Sequence, residues 1–242
     1  MADIFLRCAV VQRSLVAVDF YIAYGALMSD VGKKWAVENG IKLPEKFWDG
    51  CDRLYELLIE TNKEYNLTRI DSYEGYLIKH VVDSLAILKY FSILSKPGIS
   101  LADIGCGAGF PSLVLALARP ELHVTAIDSS GKKVAFVAKA ADLLGLNNLT
   151  AFHGRTGEMV HKEEWRERFP LITARAVGSS VKIYQDAWRM LTDRGRFILY
   201  KTPGQAAAEL PELQKQKPQR HWKLSDPFSL PEAQGERIFL YF

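Results

Sequence analysis

Three glycines at alternate positions, Gly105, Gly107 and Gly109, close the run L-A-D-I-G-C-G-A-G-F at residues 101–110. An apolar stretch enters this turn, and a second one, P-S-L-V-L-A-L-A, leaves it. The spacing predicts a strand, a glycine turn and a helix N-terminus. Such a junction offers free backbone N–H groups and allows positive φ, so a ligand can approach the main chain closely. Phe110 stands where a dinucleotide fingerprint has its third glycine. Asp103, two residues before the first glycine, would repel a pyrophosphate but can hold an ammonium group. Together these features favour S-adenosylmethionine, with its zwitterionic amino-acid end, over NAD. A tight turn without a ligand is the bland alternative, and three alternate glycines are a costly way to build one.

Further polar residues fall where strands should end, which is where open α/β sheets bind ligands. Asp128 follows Gly109 by 19 positions and closes a near-continuous apolar run over residues 122–128. A carboxylate there can accept both ribose hydroxyls of an adenosine ligand. It can also cap the next helix, but Ser129 and Ser130 are equally able caps, which leaves Asp128 for the ligand. The loop H-G-R-T-G-E (153–158) would flank the adenine, or is an ordinary turn with two glycines. Arg175 and Lys201 end two further predicted strands. With Arg155 they suggest one cationic rim, which Lys132, Lys133, Arg194 and Arg196 can widen. A salt bridge to Asp103 is the alternative for Arg175. Cations around a methyl donor suit a polyanion such as RNA, with Arg175 and Lys201 positioning phosphate or a guanine edge. His80 and Asn66 can line the RNA side of the cleft, or serve in the core or as caps. The five histidines lack metal-ligand spacing, and G-A-G-F-P is not a nucleophile elbow. No metal and no catalytic acid or base is assigned.

The elements that must hold these residues follow from periodicity. Helical spacing of Phe47, Trp48, Cys51, Leu54, Tyr55 and Leu58 predicts a helix after Pro44. A second helix, with a capping signal Asp71-x-x-Glu74, carries Ile78, Val81, Leu85 and Leu88 on one face. Lys96-Pro97-Gly98 is a break. Strands and helices then alternate: strands over 100–104, 122–128, 149–153, 171–175 and 196–201, helices over 131–144, 179–191 and 205–214. Two tail segments, 221–224 and 237–242, complete a seven-stranded sheet as an antiparallel pair. This is an α/β, Rossmann-like methyltransferase fold with an N-terminal helical cap, divided into an extension (1–28), the cap (29–96) and the methyltransferase domain (97–242). The apolar extension is interrupted by Arg13 and Asp19, which argues against a membrane span; it reads as a poorly packed segment or a partner-binding or membrane-surface helix. The 242 residues, 48% hydrophobic and 24% charged with net charge +3, describe an ordinary soluble protein. Three cysteines without a disulfide or metal pattern fit a reducing cytoplasm.

The combination of D-I-G-C-G-A-G-F-P-S (103–112), I-D-S-S-G-K-K-V-A-F (127–136), H-G-R (153–155) and T-A-R-A-V (173–177) resembles the RsmG (GidB) family. Y-N-L-T-R-I (65–70) and H-V-V-D-S-L (80–85) occur in that family's order. The resemblance covers residues 45–202. It implies transfer of a methyl group from S-adenosylmethionine to guanine N7 of one guanosine in small-subunit (16S) rRNA. It further implies that Gly105 and Phe110 contact the cofactor and that Asp128, Ser129 and Ser130 match the ribose-side D-S-L. Thr156 and Gly157 occupy the place of an Ala-Glu adenine pair, and Arg175 that of a cofactor-side arginine. The acid of that pair is absent here, with Glu158 one position later. A monomer acting on rRNA or an assembling particle is expected. The alternatives are a methyltransferase of another substrate and a non-enzymatic ribosome-associated sensor of an adenosine ligand.

Overall fold

The computed structural model describes residues 30–70 and 72–242; the extension 1–28 therefore lies outside the described residues. Helix α1 covers residues 30–38, and α2 (Phe47–Asn62) buries Phe47, Cys51, Leu54, Leu57 and Leu58 on one stripe. The C-terminal residue of α2 organises the loop after it. Asn62 Oδ1 accepts from the backbone N–H of Leu67 and Thr68, and its amide donates to the Thr68 carbonyl. The next helix, α3 (residues 73–85), is capped by Ser72, whose hydroxyl accepts from Gly75 N–H; Asp71, expected in that role, lies outside the described residues.

This second helix is not the continuous α-helix expected. It runs as Tyr73–Tyr76, a π-helical stretch Leu77–Val82 and Asp83–Leu85, followed by α4 (Ile87–Tyr90) and a 3-10 turn, Ser92–Ser95. The π turn moves the Lys79 and His80 carbonyls to where Arg175 reaches them, and such bulges gather at functional sites.

The sheet consists of β1 (Ser100–Ile104), β2 (His123–Asp128), β3 (Leu149–His153), β4 (Phe169–Arg175), β5 (Leu191–Lys201), β6 (Lys223–Leu224), β7 (Phe228–Ser229) and β8 (Glu236–Tyr241). Its order is β3-β2-β1-β4-β5-β8-β6, with β7 beside β8. The first five strands are parallel, and β8 returns antiparallel along β5. The connecting helices are α5 (Ser112–Ala118), α6 (Gly131–Leu144), α7 (Thr156–Met159), α8 (Ser180–Ala187) and α9 (Pro203–Gln214). Gly145, left-handed at φ +66°, ends α6 as a C′ residue.

Both faces of the sheet are covered. On one, Leu54, Tyr76 and Leu85 of the helical segment pack in one cluster with Leu101, Leu113, Val124 and Phe136. On the other, Trp165, Ile183, Tyr184 and Leu213 pack against Ile172 and Phe197. The strand order reverses between β1 and β4, so a crevice opens beyond their carboxyl ends.

Candidate functional site

That crevice is a cavity of about 1090 Å³, walled by the strand ends and by the helical segment above them. Gly105 and Gly107 form its floor at φ +68° and +58°. A methyl group on Gly105 would lie 2.5 Å from Val177, and one on Gly107 would meet nothing closer than 4.0 Å. Glycine at 105 thus serves packing as well as conformation, and at 107 conformation alone. Gly109, φ +84°, is not in the wall: it lets Leu113 and Val137 approach the turn. Ala176, just past β4, is left-handed at φ +54°. Strain in a non-glycine residue at a binding cleft is a recurrent feature, and here it swings Val177 onto Gly105.

Asp128 lines the cavity with both oxygens engaged. Oδ2 accepts from Gly107 N–H at 2.9 Å and Oδ1 from Ser130 N–H at 2.8 Å. The expectation that neighbouring serines leave it free is corrected. Ser130 makes no side-chain cap, and the carboxylate itself ties the glycine turn to the start of α6. Each oxygen retains a second lone pair. Ser129 lines the cavity and Ser130 does not.

Asp103 is fully buried beneath the turn, outside the cavity wall. Ser112 Oγ donates to its Oδ2, and Oδ1 has no partner among the described residues. Burial pushes its pKa from 3.8 up to about 7, offset in part by the Ser112 hydrogen bond and by Arg175. Direct contact with a ligand ammonium group, expected from the sequence, does not fit this position.

Arg175 lines the cavity but bonds to the helical segment, not to Asp103. Nη1 donates to the Lys79 carbonyl at 3.0 Å and to Asp83 Oδ2 at 3.1 Å, and Nη2 lies 3.2 Å from His80 Nδ1. Arg237 reaches the same Asp83 oxygen at 3.4 Å. A guanidinium cannot accept, so His80 Nδ1 is the acceptor. Burial, with Arg175 adding, lowers the His80 pKa to about 3, so the ring is neutral and its proton sits on Nε2. Nε2 therefore donates to Thr68 Oγ1, 3.0 Å away. Thr68 Oγ1 also accepts from Ile70 N–H at 3.1 Å. With both lone pairs used, the Thr68 hydroxyl proton is left for the cavity that Thr68 lines. His80 also stacks on Phe110, centroids 4.3 Å apart and 6° between planes. Of the two helical-segment residues expected at the cleft, His80 is in the wall, while Asn66 is exposed outside it.

Thr156 and Gly157 form the opposite wall. A side chain on Gly157 would begin 3.1 Å from Asp186 Oδ1, so an α8 carboxylate fills the space beside that position. Lys182 holds Asp186 at 2.6 Å. The expected cationic rim is partly corrected. Lys133 and Arg155 line the cavity, joined by Lys182. Lys201 is buried and paired with Glu209 at 2.9 Å, binding β5 to α9. Arg194 and Arg196 lie near the start of β5, at the opposite edge of the sheet. Thr68, Lys182 and Asp186 were not singled out from sequence; nothing in residue spacing brings them to strands so distant in the chain.

A doubly wound sheet with a glycine turn and an acid at its switch point is the architecture of Rossmann-like proteins that bind nucleotide cofactors. An S-adenosylmethionine-dependent methyltransferase from Aquifex aeolicus shares the fold, with TM-score 0.55 and 15% identity over 73% of this chain and 95% of that one. The model of the GidB family, rRNA small subunit methyltransferase G, matches residues 49–230. The ribosomal RNA small subunit methyltransferase G of Lachnoclostridium phytofermentans is 37% identical over 77% of this chain and 76% of its own. That of Lysinibacillus sphaericus is 34% identical over 85% and 86%. The chain belongs to this family, and its cofactor is S-adenosylmethionine.

Proposed function

We propose that the protein transfers a methyl group from S-adenosylmethionine to guanine N7 of one guanosine in small-subunit (16S) rRNA. In this reading it acts in the cytoplasm as a monomer, on rRNA or an assembling particle. The observation that carries it is the polarity of the cavity. A glycine floor flanked by Asp128 forms the interior, and Lys133, Arg155 and Lys182 stand at the rim. When bound, the cofactor supplies a methyl group on a sulfonium sulfur.

The chain's residues then divide the work. Gly105, Gly107 and Phe110 shape the floor, and the spare lone pairs of Asp128 suit ribose hydroxyls beside Ser129. Thr156 and Gly157 flank the adenine, and Asp186 supplies an acceptor for its amino group. Asp103 and Gly109 support the turn from below, and Ser130 anchors α6. Guanine N7 carries an in-plane lone pair and needs no general base, so the task is orientation, which contributes up to roughly 7–11 kcal/mol in well-held systems. Neutral His80 cannot act as an acid near neutral pH. It holds Phe110 flat and turns the Thr68 hydroxyl proton outward, a donor suited to guanine O6.

The test is methyl transfer from labelled cofactor to unmodified small-subunit rRNA, followed by digestion. Label at guanine N7 is expected. Cofactor binding without RNA labelling would overturn the substrate assignment in favour of another acceptor or a sensor.

A further inference from the structure

The edge of the sheet opposite the cavity carries a concentrated positive surface. Two adjoining hollows of about 520 and 390 Å³ share Asp193 and Arg220. Among the described residues, their walls hold the cations Arg166, Arg189, Arg194, Arg196, Arg220 and Lys223, against the side-chain carboxylates of Glu167 and Asp193 and the α-carboxylate of Phe242. The excess of three positive charges equals the net charge of +3 of the entire chain.

The local structure explains the gathering. Between the pairs Phe169↔Leu191 and Leu171↔Arg196, β5 has three residues more than β4. The bulge pushes Asp193 and Arg194 out of the ladder. Lys223 joins from β6, at the end of the sheet where β8 finishes. Arg189, Arg194, Arg196 and Lys223 are exposed and have no ion pair among the described residues, whereas Arg166 is paired with Glu163. Like charges held together cost stability through self-repulsion, so their assembly points to an anionic partner.

We propose that this edge is a second RNA-contact surface, taking phosphodiester backbone of the same substrate at a distance from the target base; the proposal rests on the rRNA reading above. Five of the six cations are arginines, whose planar fork bonds phosphate oxygens bidentately. The surface is concave and, among the described residues, has one exposed large apolar residue nearby, Leu224, which suits a nucleic-acid backbone and not a lipid surface. From Arg196 to Lys201 the strand spans on the order of 17 Å at about 3.3 Å per residue. An RNA touching both edges must therefore be folded and extended, more than the loop presenting the base.

The test compares the full chain with the variant Arg189→Gln/Arg194→Gln/Arg196→Gln/Lys223→Gln, using small-subunit rRNA. A control variant carries Gln at four exposed lysines elsewhere, Lys34, Lys46, Lys96 and Lys139. The patch variant should raise KM for rRNA at least tenfold and make the salt dependence of binding shallower by about 3 in log–log slope, at 0.7–0.9 per phosphate contact. Its kcat at saturating RNA, its cofactor affinity and its thermal midpoint should hold or, for the midpoint, rise. The control should change KM little. Unchanged KM and slope, an equal effect of the control, or a matching loss of cofactor affinity would each overturn the proposal. So would RNA binding that is intact alongside lost binding to anionic vesicles. A wild-type protein that binds no rRNA would overturn the substrate reading itself, and this surface with it.

Discussion

At the scale of single residues, the site works through forced hydrogen-bond roles. Arg175 can only donate, so His80 must accept at Nδ1 and donate at Nε2, and Thr68 is left with its proton free. Thr68→Val keeps the shape and removes that donor, together with the acceptor for His80 Nε2–H and Ile70 N–H. It should raise KM for rRNA about tenfold, the worth of one hydrogen bond of about 1.4 kcal/mol, and leave cofactor affinity unchanged. Thr68→Ser should restore KM. Steady-state kinetics with calorimetric cofactor binding check this, and a loss confined to cofactor affinity would refute the role.

Asp103 makes a second prediction. Its pKa is about 7 in the folded protein against an ordinary 3.8. Between about pH 4 and 7 the unfolded chain gives up a proton that the folded chain keeps. The carboxyl's contribution to stability therefore falls as pH rises through that window and is flat above it. His80, with its pKa lowered to about 3, contributes in the opposite sense from about pH 3 to 6.5. The two partly cancel in the wild type. Asp103→Asn keeps an acceptor for Ser112 and removes only the first contribution. Its thermal midpoint relative to wild type should be more favourable at pH 8 than at pH 5; an offset independent of pH would mean the Asp103 carboxyl is not raised.

At the scale of elements, one bolt joins the helical segment to the sheet. Asp83 on α3 receives Arg175 from the end of β4 and Arg237 from β8. Asp83→Ala leaves both arginines without their carboxylate, and removing one partner of a buried pair costs roughly 3–5 kcal/mol. Urea denaturation should show a loss of that size, and a loss below about 1 kcal/mol would count against the bolt. The same contact shows what sequence can and cannot convey. β1 and α6 have the bounds expected, because an apolar run between breakers and a Gly145 stop are local signals. The glycine turn and the place of Asp128 at the cavity were legible for the same reason, whereas the two backbone hydrogen bonds that engage the Asp128 carboxylate were not. The Arg175–Asp83 pair joins residues 92 positions apart, and no local pattern encodes it. Lys201 looked free because its partner, Glu209, belongs to a helix that folds back onto the strand. The polar start of β5, T-D-R-G-R, lacks apolar alternation, so the bulge and the opposite-edge placement of Arg194 and Arg196 were not legible either.

At the scale of the whole molecule, the helical segment and the sheet share one core. We propose residues 29–96 as a cap and 97–242 as the methyltransferase unit, a division of labour and not of folding. Tyr76, Leu77, Leu85 and Ile87 of the cap are fully buried in one cluster with Leu101, Leu113, Leu115 and Leu171 of the sheet and its first helix. Burying each large aliphatic or aromatic side chain contributes about 1.5–3 kcal/mol, and a domain's net stability is only about 5–15 kcal/mol. Removing the cap would also expose a contiguous apolar sheet face, a surface that associates. Residues 97–242 expressed alone should therefore aggregate or show no cooperative unfolding transition, and should bind no cofactor, since Thr68 and His80 form part of the cavity wall. Residues 30–242 should unfold in one cooperative step. A monomeric 97–242 fragment with a sharp thermal transition would show that the sheet is stable without its cap and would limit the cap's part to the substrate.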